Sequence, residues 1–142
     1  MAVTAYFYSK APLNAFKKLV NDLSSGSTVV KCALFTSSFT FNQETELYTS
    51  LANEVSSSGT GYTTGGVTLT SLSLTESSKV TTFTAASPSW SSSTISARYA
   101  VIYEAGSNVN LVCFDLGQVY TTTNGTFQLN IAAGGIFQVT VV

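Results

Sequence analysis

The sequence predicts a mainly β protein: an antiparallel β-sandwich or small barrel with one or two short N-terminal helices, in a single domain spanning 1-142. Three observations carry that expectation. Across 61–142 the blocks GYTTGGVTLTSLSL, WSSSTISARYAVIYE and NGTFQLNIAAGGIFQVTVV alternate apolar and small polar residues with a period of two. This is the pattern of strands with one face buried and the other solvated or docked. Connections after residue 66 are too short for helical crossovers, so the strands pair antiparallel. Helical spacing is confined to the N-terminal part, which places the helices before the strands and not between them.

The first expected element is a helix over 12–23. Pro12 suits a first-turn position, Leu13, Phe16, Val20 and Leu23 recur at helical spacing, and Ser24-Ser25-Gly26 offers a stop. The run 28–36 is almost continuously apolar and reads as a central strand. Asn42 is placed to cap a second short helix, with Leu47, Leu51 and Val55 on one face and Glu44 and Glu46 in the favourable first turn. The stretch 56–66, SSSGTGYTTGG, is loop, because glycine supplies positive φ cheaply and threonine hydroxyls satisfy local backbone groups. Strands follow near 66–74, 79–85, 94–104, 110–116, 125–131 and 136–141, with Asn124-Gly125 and Gly134-Gly135 as hairpin-grade turns between the last three. The clearest is 94–104, where Ile95, Ala97, Tyr99, Val101 and Tyr103 alternate with Ser96, Arg98, Ala100, Ile102 and Glu104. Trp90, just before it, closes the end of the core.

Composition bounds the function. Charged residues are 9% of the chain, against about 25% in an ordinary soluble domain. Serine and threonine fill the gap, yet 44% hydrophobic and 12% aromatic content argues for a packed domain and against disorder. So little surface charge is unusual for a free monomer and points toward an oligomer or lattice. The net charge of −1 argues against a nucleic-acid partner. Lys10, Lys17, Lys18 and Lys31 face only Asp22 in the first 31 residues, a pattern read first as a solvated helix face and second as a surface for an acidic partner. No window approaches the ~20 apolar residues of a membrane span, so no membrane partner is expected. Residues 1–8 lack a signal-peptide pattern, and synthesis in a cytoplasm is expected. Cys32 and Cys113, each in an apolar strand-like run, are then expected reduced; a disulfide between them stays open, and two lone cysteines make a poor metal site.

The sequence offers no catalytic, cofactor-binding or metal-binding residues. Histidine is absent, which removes the commonest base and metal ligand. The serines lack a G-x-S-x-G or Ser-x-x-Lys context, and the glycines of 61–66 lack the lysine of a phosphate loop. Glu44 and Glu46, two apart, do not share a helix face and read as a solvated helix start. Asp115 before Gly117 reads as a turn cap sooner than a ligand. Asn124-Gly125-Thr126 matches a glycosylation sequon, but the turn reading is preferred. Arg98 either makes a structural hydrogen-bonded contact or faces a neighbouring subunit. The 7 tyrosines and 9 phenylalanines suit both an assembly interface and a β core.

The string GTGYTTGGVTLT at 59–70, WSSSTISARYAVIY at 90–103, the turn Asp115-Leu116-Gly117 and NGTFQLNIAAGGIFQVTV at 124–141 together resemble a family of small structural proteins of tailed bacteriophages. The run Lys31-Cys32-Ala33-Leu34-Phe35-Thr36-Ser37-Ser38-Phe39-Thr40 fits its N-terminal part more loosely. Two loops depart from the family pattern: 105–110 is short, and the Asp115 turn continues into Gln118-Val119-Tyr120 where charged residues are usual. The resemblance implies a non-enzymatic virion component. The role it favours is a capsid decoration or cement protein on the outside of the shell, stabilising contacts between major capsid protein subunits. The implied partners are the major capsid protein and the chain itself, as a homotrimer or other homo-oligomer. A neck, tail or fibre-adaptor position is the alternative. A third reading, from the residues alone, is a carbohydrate-binding β-sandwich using Tyr62, Trp90 and Tyr120 as exposed aromatics.

Overall fold

The structure, a computed structural model, describes residues 3–12, 22–23 and 26–142. The helix expected over 12–23 therefore lies, in all but its ends, outside the described residues. The described chain is mainly strand: β1 Thr4–Phe7, β2 Val30–Phe35, β3 Val67–Thr68, β4 Ser73–Ser77, β5 Val80–Thr84, β6 Ser89–Ser93, β7 Ser96–Glu104, β8 Val109–Thr121, β9 Gly125–Gln128 and β10 Phe137–Thr140. They form a five-stranded sheet in the order β1-β8-β7-β2-β3, a three-stranded sheet β10-β5-β4 and a pair β6-β9. All pairings are antiparallel, as expected from the short connections.

Register decides what each face of the large sheet meets. Directly opposite residues share a face, so Leu34, Ala100 and Phe114 form one row and Cys32, Ile102 and Val112 the next. Phe7, opposite Val112, belongs to this face and meets the Phe137 ring edge-on at 4.9 Å; Phe137 in turn leans on Phe83 at 5.2 Å. These contacts seat β10-β5-β4 on the large sheet in a sandwich-like arrangement. The opposite face carries Phe35, Tyr99 and Tyr103, and residues 36–66 cover it with their own rings. Phe39 packs on Phe35 and Tyr99 at 4.7 and 5.2 Å, and Tyr48 stacks on Tyr103 at 4.2 Å.

This double cover explains where one-faced alternation fails. The central strand β7 is flanked by β8 and β2 and roofed on both sides, so Ala100, Val101, Ile102, Tyr103 and Glu104 are all buried. Glu104 survives there because the β7–β8 turn satisfies it: Gly106 N–H donates to Oε1 at 2.9 Å, and Ser107 donates to Oε2 from both N–H and Oγ.

Three expectations need correction. The second helix does not form. Asn42 does accept the Glu44 N–H at 3.0 Å, but the cap closes only a turn. Leu47 and Glu54 instead bridge to Val109 and Phe35, leaving one short 3-10 turn at Tyr48–Ser50. Tyr48, Thr49 and Ser50 dilute the apolar helical pattern, and the segment bonds instead to Leu34, Thr36, Asn108 and Asn110 at the ends of β2 and β8. Asn124-Gly125 and Gly134-Gly135 turn the chain but close no hairpin: β9 leaves β8 to pair with β6, and β10 leaves β9 to pair with β5. At Gly135 the need is steric, since φ is +74° and a Cβ would lie 2.5 Å from the Phe83 carbonyl oxygen. Finally, β1 and β6 form where no strand was expected, and the strand expected at 66–74 breaks into β3 and β4 around Ser71, at φ 54°.

Candidate functional site

The sequence-singled loop GYTTGG is a structural lock. Glu54, half-buried ahead of it, accepts hydrogen bonds from Tyr48 Oη at 2.5 Å, Tyr62 Oη at 2.6 Å and Gly65 N–H at 2.7 Å. Tyr62 Oη also accepts the Leu34 N–H at 3.0 Å, and Tyr103 Oη donates to the Gly65 carbonyl at 2.7 Å. Gly66, at φ +77°, runs so close to β2 that a Cβ would overlap the Cys32 carbonyl oxygen. Burial, then the hydrogen bond to Glu54, pushes Tyr62 and Tyr48 far above an ordinary phenol; burial and the nearby Glu54 charge lift Tyr103 to about 12. These rings stay neutral donors at any physiological pH. Glu54 was missed in the sequence; its one signal is a lone carboxylate just before the apolar Val55 and the glycine loop.

A second set of residues shapes the surface. Ala97 opposes Tyr120 and Tyr99 opposes Asp115, so Leu116, Gly117, Gln118 and Val119 of β8 bulge out against Arg98 alone. Arg98 holds the base of this bulge, donating from Nε to Asp115 Oδ1 at 3.1 Å and from a terminal nitrogen to Oδ2 at 3.2 Å, while Gly117 N–H donates to Oδ1 at 2.9 Å. The guanidinium holds the Asp115 carboxyl below its ordinary range. Arg98 thus makes the structural contact, and Asp115 is the turn cap that its place before Gly117 suggested.

Beside the bulge the two layers part. A cleft of about 620 Å³ opens between the inner face of the large sheet and the chain leading into β10. Cys32, Ile102, Phe114 and Leu116 form one wall, Phe127, Leu129, Ile131 and Ile136 the other, and Val3, Tyr120 and Thr121 stand at the margin. None of the lining residues is charged. β1 pairs with β8 only as far as Thr4 opposite Asp115. From Leu116 to Thr121 the same edge of β8 has no neighbouring strand among the described residues, and Gln118, Val119, Tyr120 and Thr121 are exposed. The cleft is thus an uncharged apolar recess bordered by an open backbone edge.

The remaining singled-out residues fall elsewhere. Glu44 accepts from Ser9 Oγ at 2.6 Å and Glu46 pairs with Lys10 at 3.7 Å. Lys31 is half-buried in β2, and Lys17 and Lys18 lie outside the described residues. Both cysteines are free; they face opposite sides of the large sheet, Cys32 level with Ile102 and Cys113 with Val101, so they cannot meet. Burial pushes each thiol up to about 12, with the Asp115 charge adding to it at Cys113. Asn124 occupies a left-handed turn at φ 47°. The carbohydrate reading loses its platform: Tyr62 and Trp90 are buried at 3% and 6% exposure, stacked on each other, and only Tyr120 is open. Among the described residues no helix is long and apolar enough to cross a membrane, and no cluster of His, Cys, Asp or Glu is grouped to hold a metal ion.

Fold and site together define a sandwich-like antiparallel β protein that carries an uncharged recess beside a strand edge left open among the described residues. Comparison with protein-family models, curated proteins and solved structures gives no match for the chain.

Proposed function

We propose that the protein is a non-enzymatic structural component of a tailed-phage virion, a capsid decoration or cement protein that binds the outside of the shell and ties neighbouring major capsid subunits together. The observation that carries this reading is the apolar cleft beside an edge of β8 left without a strand among the described residues, a surface suited to adding a strand and burying apolar side chains. The resemblance of 59–70, 90–103 and 124–141 to small phage structural proteins supplies the virion context. Many copies on one shell make individually weak contacts effective through multivalency.

The test is to count copies per particle and to add the purified protein to shells that lack it. A shell-wide cement is present on the order of hundreds of copies, as the symmetry of a shell requires, and its addition raises the temperature at which the shell releases its contents. About a dozen copies or fewer, as for a neck ring, with no gain in shell stability, would overturn the cement role.

A further inference from the structure

The cleft has a counterpart on the same molecule. Sheet edges left open in water are normally blunted by shortness, charge, proline or cover. Here β3 is two residues long, β4 carries Glu76, and the Phe7 carbonyl of β1 is taken by the Gln43 side-chain amide at 3.3 Å. In the two larger sheets, two uncharged edges have no strand over them among the described residues: β8 past its bulge, at Tyr120 and Thr121, and β10. The latter reads Phe-Gln-Val-Thr, has β5 as its one strand partner among the described residues, and carries Val139 at 52% exposure, with Val141 beyond it at 64%. One edge borders an uncharged recess; the other presents uncharged, alternating valines that no described residue covers.

We infer that the cleft is an acceptor for a second copy of this chain: residues 137–141 of one molecule add as a strand to the open edge of β8 in the next, and Val139 and Val141 enter the recess. The complementarity is chemical, since no charge stands on either surface, and the exposed Val139 and Val141 alternate along 137–141 as the side chains of an added strand do. A small apolar molecule would fill the recess but leave the β8 backbone edge unpaired, whereas a strand satisfies both. Donor and acceptor are different surfaces, so the contact is head-to-tail and propagates into a ring or an open chain. It uses the recess that carries the shell-binding reading, so within an assembly only a terminal copy keeps that recess open to another protein. Self-association without shells present tests it separately from that reading.

Two exposed substitutions test it. Val139→Asp places a charge on the donor and Tyr120→Lys places one at the acceptor margin; Ala132→Lys, on the exposed opposite rim, is a second acceptor variant should Tyr120 matter to folding. The wild type is expected to form species of two or more copies by native mass spectrometry and light scattering. Each variant alone should associate at least about 100-fold more weakly, because a buried unpaired charge opposes the contact. An equimolar mixture of Val139→Asp and Tyr120→Lys should give one-to-one dimers and nothing larger, since only one intact donor and one intact acceptor remain. A wild type that stays monomeric at about millimolar concentration, where even weak contacts of this affinity register, would sink the inference. So would assembly lost in Val139→Asp but kept in both acceptor variants, the signature of symmetric β10–β10 pairing, and so would a mixture that forms no dimer.

Discussion

Removing the carboxylate of Glu54 is the most direct probe of how this fold is held. Its two oxygens accept from Tyr48, Tyr62 and the Gly65 N–H at 2.5–2.7 Å. In Glu54→Ala the Tyr62 hydroxyl and the Gly65 N–H, both on buried residues, lose their acceptor, while Tyr48 is half-exposed and can turn to water. A buried donor stripped of a charged partner costs about 1–3 kcal/mol, so two of them put the loss at about 2–6 kcal/mol. For a chain of this size that lowers Tm by about 6–24 °C. Glu54→Gln keeps the shape and one carbonyl acceptor, loses the charge assistance, and should cost about 1–2 kcal/mol. Urea unfolding followed by fluorescence of the single Trp90, whose ring lies 6.2 Å from Tyr62, reads these values directly. The cycle with Tyr62→Phe isolates the Glu54–Tyr62 contact and should give a coupling above about 1 kcal/mol. If Glu54→Ala and Glu54→Gln cost the same, or the coupling is near zero, the carboxylate is not the pin of the loop and the reasoning fails.

Two further outcomes are expected. Gly66→Ala cannot keep the close approach to Cys32 at φ +77°; β3 must leave β2, and the loss should exceed about 3 kcal/mol, combining left-handed strain with a backbone clash, whereas Gly26→Ala, with nothing near its Cβ, should be close to neutral in the same urea titration. Asp115 is held below its ordinary range chiefly by the Arg98 hydrogen bond. A depressed carboxylate stabilises the fold above its unfolded value, about pH 4, and loses that contribution as pH falls through the lower folded value. The stability gap between wild type and Asp115→Asn should therefore be widest near neutrality and close below pH ~4; a gap that is flat with pH would refute the ion-pair account.

The fold class and the strongest strands were legible because they rest on local pattern. The run 94–104 announces β7 by alternation, and 28–36 announces β2 by continuous apolarity. Elements decided by tertiary context were not. β1 is four exposed residues that become a strand only because β8 offers an edge. The pattern of Leu47, Leu51 and Val55 suggested a helix, but Phe35 and Val109 claim that stretch as strand bridges. Asn124-Gly125 is a sound turn signal that says nothing about which strand the chain pairs with next, and long-range competition sent β9 to β6. The site was the least legible. Its walls come from β2, β7, β8 and the 129–136 connection, and its opening exists because β1 stops at Thr4 while β8 runs on to Thr121. No local window encodes a mismatch in the length of two strands so far apart in sequence.

The low charge content has a sharper meaning in the structure than in the composition. Several of the few charged groups are turned to structural work: Glu104 is fully buried in its turn, Glu54 holds the glycine loop, Arg98 and Asp115 hold the bulge, and Lys10 and Glu46 pair with each other. Glu76 bends back to accept the Lys79 N–H at 2.8 Å. What remains outward is dominated by hydroxyls and by valines and aromatics at 36–64% exposure, among them Val3, Phe7, Val119, Tyr120, Val139 and Val141. A surface so depleted gains little repulsion between copies, and its open β8 and β10 edges add directional pairing to that loss. Under the strand-addition proposal, a second copy covers those edges. The Arg98–Asp115 clamp would serve that assembly, because it fixes the bulge beside the cleft in one shape.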